Sequence, residues 1–457
     1  MKPKFALPVL TVAIASLFFF QPETATGDDP ARDPGVRGED AGAGGPIAGL
    51  TENEGRFFVA GKADFVAAEE VDEGLGPTMN LNGCGGCHSQ PATGGTSPAL
   101  NPQVAFANAA IPSQLPAVDA FVRANGPVRE ARFVRNPDGT PDGGVHALFT
   151  ITGRTGADGC NLQQPDFDAE LARNNVIFRI PTPVFGAGLI EQIPDAAILA
   201  NQAANSNQKA DLGISGHPNF RVSGRAISGQ TNNNGNDGTI SRFGWKAQNQ
   251  TLLLFSGEAY NVEMGITNEL FQAEREQTAQ CQFAKVPNDT QNFDATDALT
   301  GTTAIQNFAN FQRFLAPPTP STHTPGGATS IASGRGLFSS IGCALCHTPT
   351  LRTGDSTVFA LRNRDANLFS DLLVHDMGDG LADGVSQGQA GAREFRTAPL
   401  WGLGQRIFFL HDGRTANLKG AIREHQSDGS EANAVIRRFN NLQENQKQDL
   451  LNFLRSL

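Results

Sequence analysis

The sequence predicts a mainly α protein of two similar small units, the first enlarged by a long loop-rich insertion, and three observations carry that prediction. Two pentapeptides of one pattern, Cys84-Gly85-Gly86-Cys87-His88 and Cys343-Ala344-Leu345-Cys346-His347, stand 254 residues apart. Each follows an apolar stretch with helical spacing: Phe57, Phe58, Ala60, Phe65 and Ala68 before the first, Leu337 and Phe338 before the second. The chain between them is broken by turn signals such as Asn136-Pro137-Asp138-Gly139, Pro141-Asp142-Gly143-Gly144 and the run Asn232 to Gly238.

The pentapeptides name the chemistry. Two thiols three positions apart can bond both vinyl groups of one haem, and the residue that follows places an imidazole to ligate the iron. With six cysteines and eight histidines in 457 residues, roughly one chance match in a thousand such chains is expected at average usage. A zinc site shared by the two motifs is the rival, but a histidine directly after the second cysteine at both places is what haem attachment needs. The units are therefore read as two cytochrome c-like haem domains. They would hold two covalently bound haem c groups through Cys84, Cys87, Cys343 and Cys346, with His88 and His347 as proximal iron ligands.

The elements follow in order. Residues 1–27 read as an export signal, with Lys2 and Lys4 ahead of apolar Leu7 to Phe20 and small residues near Ala25 and Gly27. That stretch is shorter than the ~20 residues of a membrane span, so membrane association is expected only if the signal is retained. Export to the periplasm agrees with covalent haem attachment. Residues 28–48, rich in Gly, Ala, Asp and Pro without hydrophobic periodicity, read as a flexible linker. The first domain, 49–316, opens with an amphipathic helix over Arg56 to Val71. Its insertion should carry short helices around Ala196 to Ala204 and Gln250 to Ala259. Pro317, Pro318, Pro320 and Pro325-Gly326-Gly327 lead into the second domain, 317–457. A helix over Asn445 to Leu457, with Leu450, Leu451, Leu454 and Leu457 on helical spacing, closes it. Cys160 and Cys281 have no histidine or cysteine nearby, and an oxidising compartment would let them pair, although sequence does not fix whether their side chains meet.

The formal charge is -11, which disfavours nucleic acid and anionic membranes and suits a basic partner such as a small electron-carrying cytochrome; solubility alone also accounts for it. Aromatic usage is lopsided, with 31 Phe against two Trp and one Tyr. Trp245, Trp401 and Tyr260 are thus the only easily oxidised aromatic stepping stones, and each also serves as filler.

What faces each iron opposite its proximal histidine decides its role, because a strong sixth ligand makes a relay and an open position lets oxidant bind. For the later haem, Leu418, Ile422 and His425 share a helical face that turns the His425 imidazole inward; His375 and Met377 are rivals. For the first, no histidine or methionine lies within 50 residues after His88, His146 being the nearest, which favours an open site. Glu263, in Asn261-Val262-Glu263-Met264-Gly265, is a candidate for moving the protons of peroxide cleavage.

These residues resemble the superfamily of bacterial dihaem cytochrome c peroxidases and the maturation enzyme for methylamine dehydrogenase, and within it the dihaem oxidoreductase family, described as peroxidases or thiol oxidoreductases. The resemblance rests on Asn174 to Asp195, Arg242-Phe243-Gly244-Trp245-Lys246-Ala247, Asn261 to Gly265, His375 to Gly384, Arg396 to Gly402 and Leu410-His411-Asp412-Gly413, and runs from about Glu54 to the carboxyl terminus. It implies that Trp245 lies between the haems and that Glu263, 18 residues on, stands beside the peroxide site. In relatives the second haem's distal ligand, Met or Tyr there, follows the His of a Phe-His-Asp-Gly segment by fourteen residues. Here that count from His411 lands on His425, implying a bis-His second haem. The resemblance also allows an interdomain calcium held partly by backbone carbonyls, which side chains do not reveal.

Two departures stand out. The removable distal histidine that peroxidases often carry soon after the first motif is missing, and the glutamine that accompanies their distal glutamate has no clear counterpart, although Gln248 and Gln250 are near. The reading is a periplasmic dihaem c-type oxidoreductase of peroxidase type. Its partners would be peroxide or another small oxidant and a small electron-donor or acceptor protein. A dihaem oxygenase of the rubber-oxygenase type, with an apolar channel to the first haem, and a plain electron-transfer cytochrome are the alternatives.

Overall fold

Six helices position the sites in the computed structural model, which describes residues 30–110, 121–220, 226–227, 230–231, 240–276 and 278–457. They are α1 (Glu52–Val66), α2 (Leu252–Met264), α3 (Ala304–Phe314), α4 (Gly327–Ile341), α5 (Leu418–Arg423) and α6 (Glu444–Ser456). α1 starts four residues before the predicted Arg56 because Thr51 and Glu54 form a capping box around its first turn. The predicted helices at 196–204, 250–259 and 445–457 appear as Asp195–Ala203, α2 and α6.

Two helix crossings repeat one device. Gly61 of α1 meets α3 so closely that a Cβ there would lie 2.2 Å from the Asn307 carbonyl oxygen. Gly334 of α4 meets α6 in the same way, with a Cβ 2.0 Å from the Asp449 carbonyl oxygen. Four residues after each glycine a phenylalanine reaches both the partner helix and the pentapeptide. Phe65 lies 4.9 Å from Phe311 and 5.8 Å from His88, and Phe338 lies 5.4 Å from Phe453 and 6.3 Å from His347, between ring centres. One backbone-to-backbone helix pair thus buttresses each motif.

Helix outweighs strand, with fourteen α-helices and eleven strands of two to four residues among the described residues. At 35% helix and 10% strand the fold is mixed, so the expected mainly α class holds only in part. The turn-rich insertion supplies seven of the eleven strands by folding short segments against one another, and the second half supplies the other four, between Leu351 and Arg396. Its largest sheet is antiparallel, in the order β2-β1-β3, from β1 (Glu130–Phe133), β2 (Val145–His146) and β3 (Val176–Arg179). Arg132 pairs with Ile177, and Ala131 with His146, which carries Glu130, Arg132 and His146 to one cavity. Cys160 and Cys281 are disulfide-bonded, tying the insertion across 121 residues.

The described part of the expected linker is not a free tether. Ala31, Arg37 and Ala41 are buried, and Asp33 accepts from both Arg455 Nε at 2.7 Å and Arg455 Nη2 at 2.8 Å. Arg37 N donates to Gly404 O, Ile47 N to Phe314 O, and Thr319 N to Ala41 O. Residues 30–48 therefore strap both halves of the molecule, because backbone pairing and one buried ion pair fix a segment that has no hydrophobic pattern to announce it. The export signal and the turn run Asn232 to Gly238 lie outside the described residues. No helix of the described residues is long and apolar enough to cross a membrane.

Two candidate haem sites and the residue between them

The pentapeptides border two separate cavities. The first, about 1250 Å³ including its mouth, is lined by Cys84, Cys87 and His88 from the motif, by Glu130, Arg132, His146 and Arg179 from the sheet, and by Tyr260 and Glu263 from α2. The second, about 1360 Å³, gathers Cys343, Cys346 and His347 with Leu418, Ile422 and His425.

Three histidines are prepared alike. His88 Nδ1 meets Gly95 O at 2.9 Å, His347 Nδ1 meets Phe369 O at 3.0 Å, and His425 Nδ1 meets Ala421 O at 2.8 Å. A carbonyl can only accept, so each Nδ1 carries the proton and each Nε2 keeps its lone pair for a metal. Burial holds His88 and His347 down to about 4 and lowers His425 as well, so all three are neutral, ligand-ready imidazoles at pH 7. Burial also pushes the Cys84 and Cys343 thiols up to about 12, away from the lowered values of a redox dithiol.

The rivals for the second iron are occupied or apolar. His375 bonds Asp371 Oδ2 through Nε2 at 3.0 Å and Glu431 Oε2 through Nδ1 at 2.7 Å, which leaves neither nitrogen free and keeps the ring an imidazolium. Met377 borders the same cavity but packs with Leu381, Phe395 and Phe408. Leu418, Ile422 and His425 line that cavity together, as their helical spacing predicts.

In the first cavity the other histidine is differently held. His146 Nε2 bonds Asp142 Oδ2 at 2.8 Å, and its ring stacks on Phe133 at 3.8 Å. Met79 also borders this cavity, five residues before the motif, where its thioether end fills the space beside Gly76 and Gly265. Glu263 projects from α2 into the cavity. Its side chain is exposed to the cavity space; the protein packed around that space, and then the nearby Glu130 carboxylate, push its carboxyl up to about 8 against the pull of Arg132. Gln248 lines the cavity with its Oε1 buried and unbonded, whereas Gln250 lies in a separate pocket with Glu191 and Arg242. Of the two glutamines near Glu263's segment in the sequence, Gln248 borders this cavity and Gln250 does not.

Trp245 is the one residue that lines both cavities among the described residues. Its Nε1 donates to Ile180 O at 2.9 Å, and its carbonyl accepts from Arg396 N at 2.9 Å, so segments of both halves clamp it. Next to it Lys246 Nζ lies 3.0 Å from Asp383 Oδ1, while Arg179 Nη2 meets Asp383 Oδ2 at 2.8 Å, a buried cluster that locks the insertion to the second half.

A family model described as "Di-haem oxidoreductase, putative peroxidase" matches residues 132–457. The chain belongs to the di-haem oxidoreductase family. The matched range holds Trp245, Glu263, the second pentapeptide and His425, while the first pentapeptide lies ahead of it. The family's description is that of an oxidoreductase with two haem groups. No curated protein sequence matches the chain. Among solved structures, hydrazine synthase from Kuenenia stuttgartiensis, pressurised with xenon, aligns with TM-score 0.24 and 16% identity over 44% of this chain and 60% of that one. The chain therefore spans less than two-thirds of that protein, and a likeness so distant carries no argument.

The residues fit one haem in each cavity. Each cavity has a thiol pair and a neutral imidazole with its metal-binding nitrogen free. The first adds buried polar atoms without protein partners, Arg179 Nε, Gln248 Oε1 and Gln312 Oε1. Sequence reading missed Glu130, Arg132, Gln312 and Met79 as cavity residues. Only their strand pairing, or their place on α3 and before the motif, could have signalled it.

Proposed function

We propose that the chain is an exported, periplasmic di-haem c peroxidase, arranged as two cytochrome c-like domains, that reduces hydroperoxide at the His88 site with electrons delivered through the His347 site. One asymmetry supports it. The second cavity offers two imidazoles whose Nδ1 bonds a carbonyl and leaves Nε2 free, His347 and His425, besides His411, which stacks on Phe395; the first offers one such imidazole together with a carboxyl group of raised pKa.

Bound there, the first haem would supply an iron with an open face for peroxide, and the second a saturated one-electron store. The chain's own residues do the rest. Cys84 and Cys87, and Cys343 and Cys346, fix each group covalently. His88 would hold the first iron, and His347 together with His425 the second. Glu263 accepts the proton of the near peroxide oxygen and returns it to the far one, so that peroxide, two electrons and two protons yield two waters. Arg132 keeps a fraction of Glu263 ionised, and Gln248 can donate through its amide to the oxidant. Trp245, bordering both cavities, shortens the gap an electron crosses between them. A small basic cytochrome suits the acidic surface as donor.

The apolar-substrate oxygenase finds less support, because Glu130, Arg132, Arg179, Gln248, Glu263 and Gln312 interrupt the otherwise mainly apolar lining of the first cavity. Such a wall suits a small polar oxidant. The test is to add hydroperoxide to reduced holoprotein with a reduced cytochrome as donor. Turnover with two electrons per peroxide is expected, and absence of any peroxide-dependent oxidation would reject the reading.

A further inference from the structure

Two guanidinium groups stand at one wall of the second cavity without an acid to meet them. Arg396 and Arg406 line that cavity and also the slot below it that is shared with Trp245 and Trp401. They are only 9% and 8% exposed. Arg396 donates from Nε to Gly244 O at 2.9 Å and from Nη1 to Thr397 O at 3.4 Å. Arg406 makes no side-chain hydrogen bond among the described residues, although its own carbonyl accepts from Arg455. Burial pulls both down to about 10, and the two charges repel each other, with Asp371 the distant attraction on Arg396 and already bonded to His375.

Of the five other buried guanidinium groups among the described residues, four meet an acid, and the fifth, Arg37, donates to the Ser456 and Thr319 carbonyls. Arg132 meets Glu130, Arg179 meets Asp383, Arg242 meets Asp195 and Arg455 meets Asp33. Adjacent buried like charges persist only where an anion comes between them. The chain supplies none at this wall, and a haem carries two carboxylates.

We propose that Arg396 and Arg406 receive the propionates of the haem held by His347 and His425, so that this haem's carboxylate edge faces the slot that ends on Trp245. The inference rests on the reading that the second cavity holds a haem, and it adds that haem's orientation and the source of its charge balance. Guanidinium pairing keeps both propionates ionised down to low pH, and planar N–H forks match carboxylates two bonds at a time. The iron's potential should then be flat with pH across the neutral range. With one guanidinium removed, an unpaired propionate would favour the ferric state and would take up a proton as pH falls, which raises the potential again.

The experiment is a spectroelectrochemical titration of the low-spin haem in holoprotein from pH 5 to 8, for the native chain, Arg406→Gln and Arg406→Lys, with the haem count fixed by pyridine haemochrome. Arg406→Gln should disfavour reduction by about tenfold at pH 8, which is about 59 mV for a one-electron couple, and should acquire a pH slope. Arg406→Lys should recover most of the shift. Resonance Raman spectra of the native holoprotein in H2O and D2O give a reading that needs no variant, since the propionate bending mode should move on exchange. Two haems with an unchanged potential and slope in Arg406→Gln, or a propionate mode indifferent to exchange, would overturn the inference alone. A haem count of one, confined to the first site, would overturn it together with the di-haem reading.

Discussion

Replacing Glu263 by glutamine keeps the side chain's shape and removes its capacity to take a proton. The protein packed around its cavity, and the like charge of Glu130, hold the native carboxyl at about 8. With that value about one molecule in ten carries the ionised form at pH 7, and about one in a hundred at pH 6. If the ionised form starts peroxide cleavage, turnover should climb about tenfold from pH 6 to 7 and about fivefold from 7 to 8, then level off. Glu263→Gln should lose about 100-fold or more of the rate and the climb with it. Glu130→Gln should move the profile toward acid, because it removes a repulsion and frees Arg132 from its 2.8 Å partner to act on Glu263. The assay is stopped-flow oxidation of a reduced cytochrome by holoprotein and hydroperoxide across pH 5.5–9. A Glu263→Gln rate within about threefold of native, with the same climb, would remove this carboxyl from proton transfer.

Other consequences are equally direct. His425→Ala should leave both haems attached and turn the low-spin one high-spin; an unchanged absorption spectrum would reject His425 as ligand. Trp245→Phe should leave both haem spectra intact while slowing electron transfer between them. It should also cost about 1 kcal/mol of stability by leaving the Ile180 carbonyl without its donor; native-speed transfer in flash kinetics would exclude the tryptophan as relay. Gly61→Ala and Gly334→Ala place a methyl 2.2 Å and 2.0 Å from a facing carbonyl oxygen, so each should destabilise by about 1–3 kcal/mol. An unshifted denaturation midpoint would show that the helix pairs do not touch there.

Local chemistry was the legible part. The pentapeptides, the closing helix α6 and the His425 face are short patterns whose meaning depends on near neighbours, and each stands where its spacing placed it. Long-range pairing was not legible. Glu130 and Arg132 reach the first cavity only because β1 pairs with β3, and nothing in the run Glu130 to Phe133 announces that partner. The strap at 30–48 reads as a tether because its anchors are bonds to residues far along the chain, such as Asp33 to Arg455, 422 residues on, and Arg37 to Ser456, 419 residues on. Met79 escaped notice because a candidate ligand was sought after His88 and not before it. The disulfide between Cys160 and Cys281 was left open by sequence, since proximity across 121 residues is a property of the fold. The two unpaired arginines, by contrast, are invisible until burial and partners are known.

The central claim is that the two irons differ in what faces them, and low-temperature electron paramagnetic resonance of the fully oxidised holoprotein tests it in one spectrum. One high-spin signal that changes on adding azide or cyanide, beside one low-spin bis-imidazole signal that ignores them, is the predicted result. Two low-spin signals, both indifferent to either ligand, would contradict it.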